Sequence, residues 1–205
     1  MKTITEIKRQ QKNNKRVSIY LNGAYYCGLD LLTVMKNRLK VGMEIEESKL
    51  VEIQRESEFS ACFESGLKIV SKMLKTEKEV YLKLTKKGYL DEIVKEVIEK
   101  LKSYNYLNDK DYTERYFSTY KGKKGKKLIS LELKQKGVSD IDVRSIAESV
   151  ESELEACIDI AEKYVKNKEK DVKTLQKCYK YLLSKGFSYE DSLTASKKAV
   201  SIDED

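Results

Sequence analysis

Seven consecutive residues, Lys121-Gly-Lys-Lys-Gly-Lys-Lys127, set five lysines around two glycines. Lysines at this density attract phosphates or carboxylates, and glycine lets a ligand approach the backbone closely. The competing reading is a solvated loop whose glycines serve turn geometry, since runs of like charge usually face water. The stretch is not a nucleotide-phosphate loop: it lacks the GxxxxGK[ST] spacing and leads from one helix into another rather than from a strand. A second basic stretch, Lys8-Arg-Gln-Gln-Lys-Asn-Asn-Lys-Arg16, offers the same chemistry near the N-terminus. It contributes Lys8, Arg9, Lys12, Lys15 and Arg16 as candidates beside Lys121, Lys123, Lys124, Lys126 and Lys127.

Other chemistry is poorly supplied. The chain has no histidine, so a Cys–His nucleophile is excluded and general acid–base catalysis loses its commonest residue. Cys27, Cys62, Cys157 and Cys178 have no finger or ribbon spacing and are expected to be buried free thiols in a reducing compartment. The carboxylates are scattered. Neither a metal nor a cofactor is expected, and an enzyme is the weakest functional class.

The 41 basic residues outnumber the 34 acidic ones to give a net charge of +7, which favours polyanionic partners. The arginines are few (Arg9, Arg16, Arg38, Arg55, Arg115 and Arg144), which argues against sequence-specific base reading and leaves weak backbone attraction to nucleic acid as an alternative. No apolar stretch approaches the ~18–20 residues that cross a bilayer, and the N-terminus has no leader-like apolar region. A cytoplasmic protein with no membrane contact is expected.

The elements that carry the lysines repeat. Leu84, Leu133 and Leu182 each stand four residues before a glycine (Gly88, Gly137, Gly186), each glycine follows a lysine, and the same 49-residue step relates Val80, Ile129 and Cys178. Three helices of about 12 residues with loops of about four fit that period. Each glycine is expected to end a helix in the left-handed conformation. Thr76-Glu-Lys-Glu79 reads as a capping box, and Ser139-Asp-Ile-Asp142 and Ser188-Tyr-Glu-Asp191 as caps in one register. Phe59, Phe63, Leu67, Val70 and Leu74 mark an apolar stripe. Ile93, Val94, Val97, Ile98 and Leu101 follow in the first repeat, with Val143, Ile146 and Val150 inward in the second and Ala161, Val165, Leu193 and Val200 in the third. Tyr81, Tyr89, Tyr112, Tyr116, Tyr179 and Tyr181 are expected mostly as amphipathic core filler.

Ahead of the repeats, Thr3–Lys8 is a candidate strand. Val17–Leu21 and Ala24–Cys27 flank Asn22-Gly23, a type I′ hairpin signal. The basic stretch is expected to link strand and hairpin, Leu29–Leu39 to form a helix, and Lys40–Ile45 a turn into a short extended piece. The expected fold is mainly α: three tandem three-helix repeats in an elongated, curved array behind a small N-terminal β-hairpin/α unit. The expected segments are 1–57, 58–107, 108–152 and 153–205.

From about residue 59 to 200 these landmarks resemble the RecX family. The pieces are Thr76–Glu79 with Leu84 and Lys87-Gly88-Tyr89; Tyr106-Leu-Asn-Asp109; Gly125–Ile129 with Leu133-Lys-Gln-Lys-Gly-Val138; and Leu182-Leu-Ser-Lys-Gly-Phe-Ser188. The chain departs from the family pattern at Tyr112, where alanine is frequent, and in carrying lysines for many arginines. The resemblance implies a non-catalytic regulator, active in DNA repair, recombination and the SOS response. Such a regulator binds the RecA recombinase and the RecA–DNA filament and inhibits their ATPase, strand-exchange and coprotease activities. A monomer is expected.

Overall fold

The computed structural model describes residues 1–11, 13–149 and 152–200. Four strands, β1 (Lys2–Gln10), β2 (Asn13–Leu21), β3 (Ala24–Asp30) and β4 (Glu44–Ile45), form one antiparallel sheet in the order β3-β2-β1-β4. The short α1 (Leu31–Lys36) and the long α2 (Glu47–Val70) complete this region. Eight further helices follow: α3 (Glu77–Lys86), α4 (Asp91–Ser103), α5 (Asp109–Tyr120), α6 (Lys126–Gln135), α7 (Asp140–Glu148), α8 (Leu154–Val165), α9 (Val172–Ser184) and α10 (Tyr189–Val200). No helix among the described residues is long and apolar enough to cross a membrane.

Asn22 and Gly23 take φ of 49° and 83° between β2 and β3, as the hairpin signal requires. The sheet is larger than a hairpin, because β1 pairs with β2 as far as Gln10 opposite Asn13. Lys8, Arg9, Lys15 and Arg16 therefore lie in two paired strand ends rather than in a connecting loop. Paired strands satisfy the backbone while the charged side chains of Lys8, Arg9 and Lys15 stay in water, so basic residues do not break the ladder here. Leu29 ends in β3 rather than a helix, because Asp30 caps α1 by accepting from the Leu32 amide at 2.9 Å. Ile4, Val17, Ile19, Leu21, Cys27 and Leu29 form one core with Val34 and with Leu50 and Ile53 of α2.

The helix α2 runs unbroken across residues 57 and 58. Its buried line downstream is Cys62 and Gly66, while Phe59, Phe63, Leu67 and Val70 pack part-buried beside it and Leu74 lies beyond the helix, exposed. The small residues win the interior because α4 comes close: a Cβ on Gly66 would stand 3.0 Å from Leu101 Cδ1. Val80 and Leu84 of α3 and Ile93, Val94, Val97, Ile98 and Leu101 of α4 complete this core. The second bundle (α5–α7) buries Tyr112, Phe117, Ile129, Leu133, Val138 and Val143. The third (α8–α10) buries Cys157, Ala161, Val165, Cys178, Leu182, Phe187, Ala195, Ala199 and Val200.

Gly88, Gly137 and Gly186 all have φ of 90°, and each donates its amide to the carbonyl three residues earlier at 2.9 Å. Leu193 is exposed, contrary to its expected inward place. α10 instead turns Ala195 and Ala199 toward α8, where Cys157 and Ala161 also present little bulk. Val150 lies outside the described residues. The chain divides into two compact units, residues 1–74 with 80–107, and residues 75–79 with 108–205.

Candidate binding surface

The lysine run occupies the end of α5, a tight turn and the start of α6. Lys121 closes α5 through its amide to the Phe117 carbonyl (2.8 Å), and Gly122 turns the chain at φ 80°. Lys126 and Lys127 already belong to the first turn of α6, so the loop proper ends at Gly125. Lysines suit a helix N-terminus poorly, because the macrodipole is positive there. Glu153 offsets this by accepting from the Lys126 amide at 2.7 Å.

The five lysines have different surroundings. Lys124 contacts both oxygens of Glu132 (2.6 and 2.8 Å) and lies 4.3 Å from the Tyr120 ring centre, while the Tyr116 hydroxyl donates to the same carboxylate at 2.9 Å. Burial opposes the charge of Glu132, but the Lys124 and Tyr116 hydrogen bonds outweigh it and hold its carboxyl below the ordinary glutamate range. Lys124 is thus committed within the bundle. Lys127 sits 4.9 Å from the ring centre of the exposed Tyr189, and Lys126 is half-buried. Lys121 and Lys123 are exposed and have no acidic partner among the described residues.

In the other unit, Lys8 and Arg9 are exposed on β1. Lys15 pairs with Glu64 at 3.1 Å, and Arg16 donates to the Gly28 carbonyl at 2.9 Å. Lys12 lies outside the described residues.

The glycines of the run have a structural duty that recurs 49 residues away. The Gly125 amide donates to the Lys185 carbonyl at 2.8 Å, and the Thr76 hydroxyl donates to the Lys136 carbonyl at 2.7 Å. One residue further on, the Lys126 amide meets Glu153 and the Glu77 amide meets Asp109 at 2.9 Å. In both places the first turn of a middle helix docks on the glycine turn that ends the next middle helix, and a carboxylate from the following bundle caps it. Thr76 also completes its capping box, accepting from the Glu79 amide at 3.2 Å while its own amide donates to the Glu79 carboxylate at 3.3 Å. The third middle helix differs. α9 starts three residues earlier in the register, and Asp171 caps it by accepting from the Thr174 amide at 2.7 Å.

Burial raises the Cys27 and Cys62 thiols to about 11 and the Cys157 thiol to about 12, which keeps them protonated and unreactive. No group of three or more Cys, Asp or Glu residues among those described is arranged to hold a metal ion. Residues outside the basic runs, among them Ser130, Leu131, Lys134 and Arg144, line a groove with Lys126 and Lys127. The spacing 127, 130, 131, 134 along one helix face was the available signal for it.

Residues 2–46 match the family model for the Regulatory protein RecX N-terminal domain, residues 62–101 the RecX first three-helix domain, and residues 151–194 the RecX third three-helix domain. A Regulatory protein RecX of Clostridium beijerinckii is 36% identical over 211 residues, covering 100% of this chain and 99% of the relative. One from Clostridium perfringens is 37% identical over 196 residues, covering 93% and 92%. The crystal structure of a regulatory protein RecX superposes with a TM-score of 0.69 over 99% of this chain and all of the other, at 23% identity. That of RecX from Lactobacillus salivarius gives 0.63 at 30% identity, over 71% of this chain and 98% of the other.

Proposed function

Because the chain belongs to the RecX family of regulatory proteins, we propose that it binds the RecA recombinase and the RecA–DNA filament and inhibits ATP hydrolysis, strand exchange and coprotease activity. It does so in the cytoplasm as a monomer, by contact and without catalysis. The observation that supports this most directly is the repeated junction in which Thr76 meets Lys136 and Gly125 meets Lys185. A contact repeated at a 49-residue step suits a ligand that itself repeats, and several weak contacts on such a ligand add through effective concentration. In this reading residues 1–57, 58–107, 108–152 and 153–205 are the successive segments.

These cations serve as the contact points: Lys121, Lys123, Lys126 and Lys127 from one basic stretch, and Lys8, Arg9, Lys12, Lys15 and Arg16 from the other. Lys124 supports the loop from within. The test is the rate of ATP turnover by RecA on single-stranded DNA with increasing amounts of this protein. Turnover slows at or below equal ratios, and an unchanged rate at low salt overturns the proposal.

A second reading is general attraction to the phosphate backbone, which the exposed Lys121 and Lys123 favour. It requires tight, steeply salt-dependent binding to bare DNA. Much stronger binding to RecA-coated DNA than to bare DNA rejects it.

A further inference from the structure

We infer that the groove between α6 and α7 is a docking site for an acidic peptide segment carrying one aliphatic anchor. The inference rests on the regulatory reading above and names the chemistry of the partner.

The groove holds about 500 Å³. One wall is the face of α6 bearing Lys127, Ser130, Leu131 and Lys134; the other is the face of α7 bearing Arg144 and Ala147. Its floor is apolar, with Leu131 52% exposed. Its rim is basic: Lys126, Lys127 and Arg144 make no ion pair among the described residues, and Lys134 pairs with Asp140 at 2.6 Å. Among the described residues that line it, Glu148 alone is acidic.

Comparison with the sister bundles shows what opens this space. The 49-residue step places Tyr81 and Tyr179 where the second bundle has Ser130, and Lys95 and Leu193 where it has Arg144. In the first bundle the Tyr81 hydroxyl donates to Asp91, and Asp91 pairs with Lys95 at 2.7 Å. There the ring occupies the inter-helix surface and the cation is neutralised. In the second bundle serine leaves the space empty, and Arg144 faces water.

An apolar floor ringed by cations matches an aliphatic side chain flanked by carboxylates. Arginine takes a carboxylate bidentately, and the leucine supplies the desolvated centre that such interfaces use. A nucleic-acid strand fits less well, because none of the described residues lining the groove is an aromatic ring that could stack a base.

The experiment measures fluorescence anisotropy of the full chain with three labelled probes. They are a short aspartate/glutamate peptide with a central leucine, the same peptide with a central serine, and an oligothymidylate of equal length. The leucine peptide binds about tenfold more tightly than the serine peptide. Ser130→Tyr, which installs the residue both sister bundles tolerate, lowers its affinity about tenfold, as does Arg144→Gln combined with Lys134→Gln. Circular dichroism confirms that these variants fold. Unchanged affinity in Ser130→Tyr, no preference for leucine, or tighter binding of oligothymidylate overturns the inference. RecA ATP turnover with the same proteins separates the two claims. Peptide binding with no effect on RecA leaves the groove standing without the regulatory reading. Inhibition of RecA with no peptide binding does the reverse.

Discussion

Gly125 and Gly186 lie backbone against backbone, so close that a Cβ on Gly125 would overlap the Gly186 carbonyl. The lysine run is therefore anchored at its fifth residue to the turn that ends α9. Gly122, in the same run, has open space where a Cβ would go and needs only its positive φ.

Gly125→Ala forces two backbone segments apart and is expected to cost about 2–3 kcal/mol. Gly122→Ala meets only the left-handed penalty of about 1 kcal/mol. Urea denaturation of the two variants distinguishes them, and equal losses would contradict the packed junction.

Thr76 serves its own helix and the Lys136 carbonyl at once. Thr76→Val removes both contacts and is expected to destabilise by about 1–2 kcal/mol, whereas Thr76→Ser stays close to native. Thermal melts of both test the dual role.

Burial raises the carboxyl of Glu153 above the ordinary glutamate range, and one of its oxygens is buried without a hydrogen-bond partner. The folded state therefore holds this proton more tightly than the unfolded state. Its contribution to stability is full below the unfolded pKa and is lost as pH rises through the folded one. Glu153→Gln removes that loss, so the stability of the variant relative to native is higher at pH 7 than at pH 4. Melting temperatures across that range that moved in parallel would argue against a buried, strained charge.

Glu132 has the opposite sign. Its lowered pKa contributes stability above the unfolded value, lost as pH falls through the folded one. Lys124→Gln leaves the half-buried carboxylate without its cation and is expected to cost about 1–2 kcal/mol. Lys121→Gln with Lys123→Gln stays within about 0.5 kcal/mol of native and weakens RecA inhibition instead. A stability scan combined with the ATP-turnover assay checks this division between supporting and contacting lysines.

Local rules were readable in the chain. Asn22-Gly23, the Thr76, Ser139 and Ser188 caps, and the three glycine turns depend on residues a few positions apart, and the structure holds each as expected. What escaped reading depends on distant partners. Nothing near Lys124 announces Glu132, and nothing near Thr76 announces a carbonyl sixty residues on. Periodicity marked Phe59 and Phe63 as an apolar stripe, and both pack part-buried against the core, but it also placed Leu193 inward, where it is exposed. Close helix packing gave the fully buried places to small residues such as Cys62, Gly66, Ala195 and Ala199. The site followed the same division: the lysines were visible as a run, but their sorting into braced and free ones was not.

The early start of α9 limits how this molecule can grow. Its opening turn is already closed off by Asp171, and the counterpart of Thr76 and Gly125, Thr174, is enclosed within the helix. Tandem duplication of the last bundle would not extend the series by itself: the newcomer would find no exposed donor to receive. An engineer wishing to lengthen the protein would first have to restart that helix three residues later, with a residue free to reach outward.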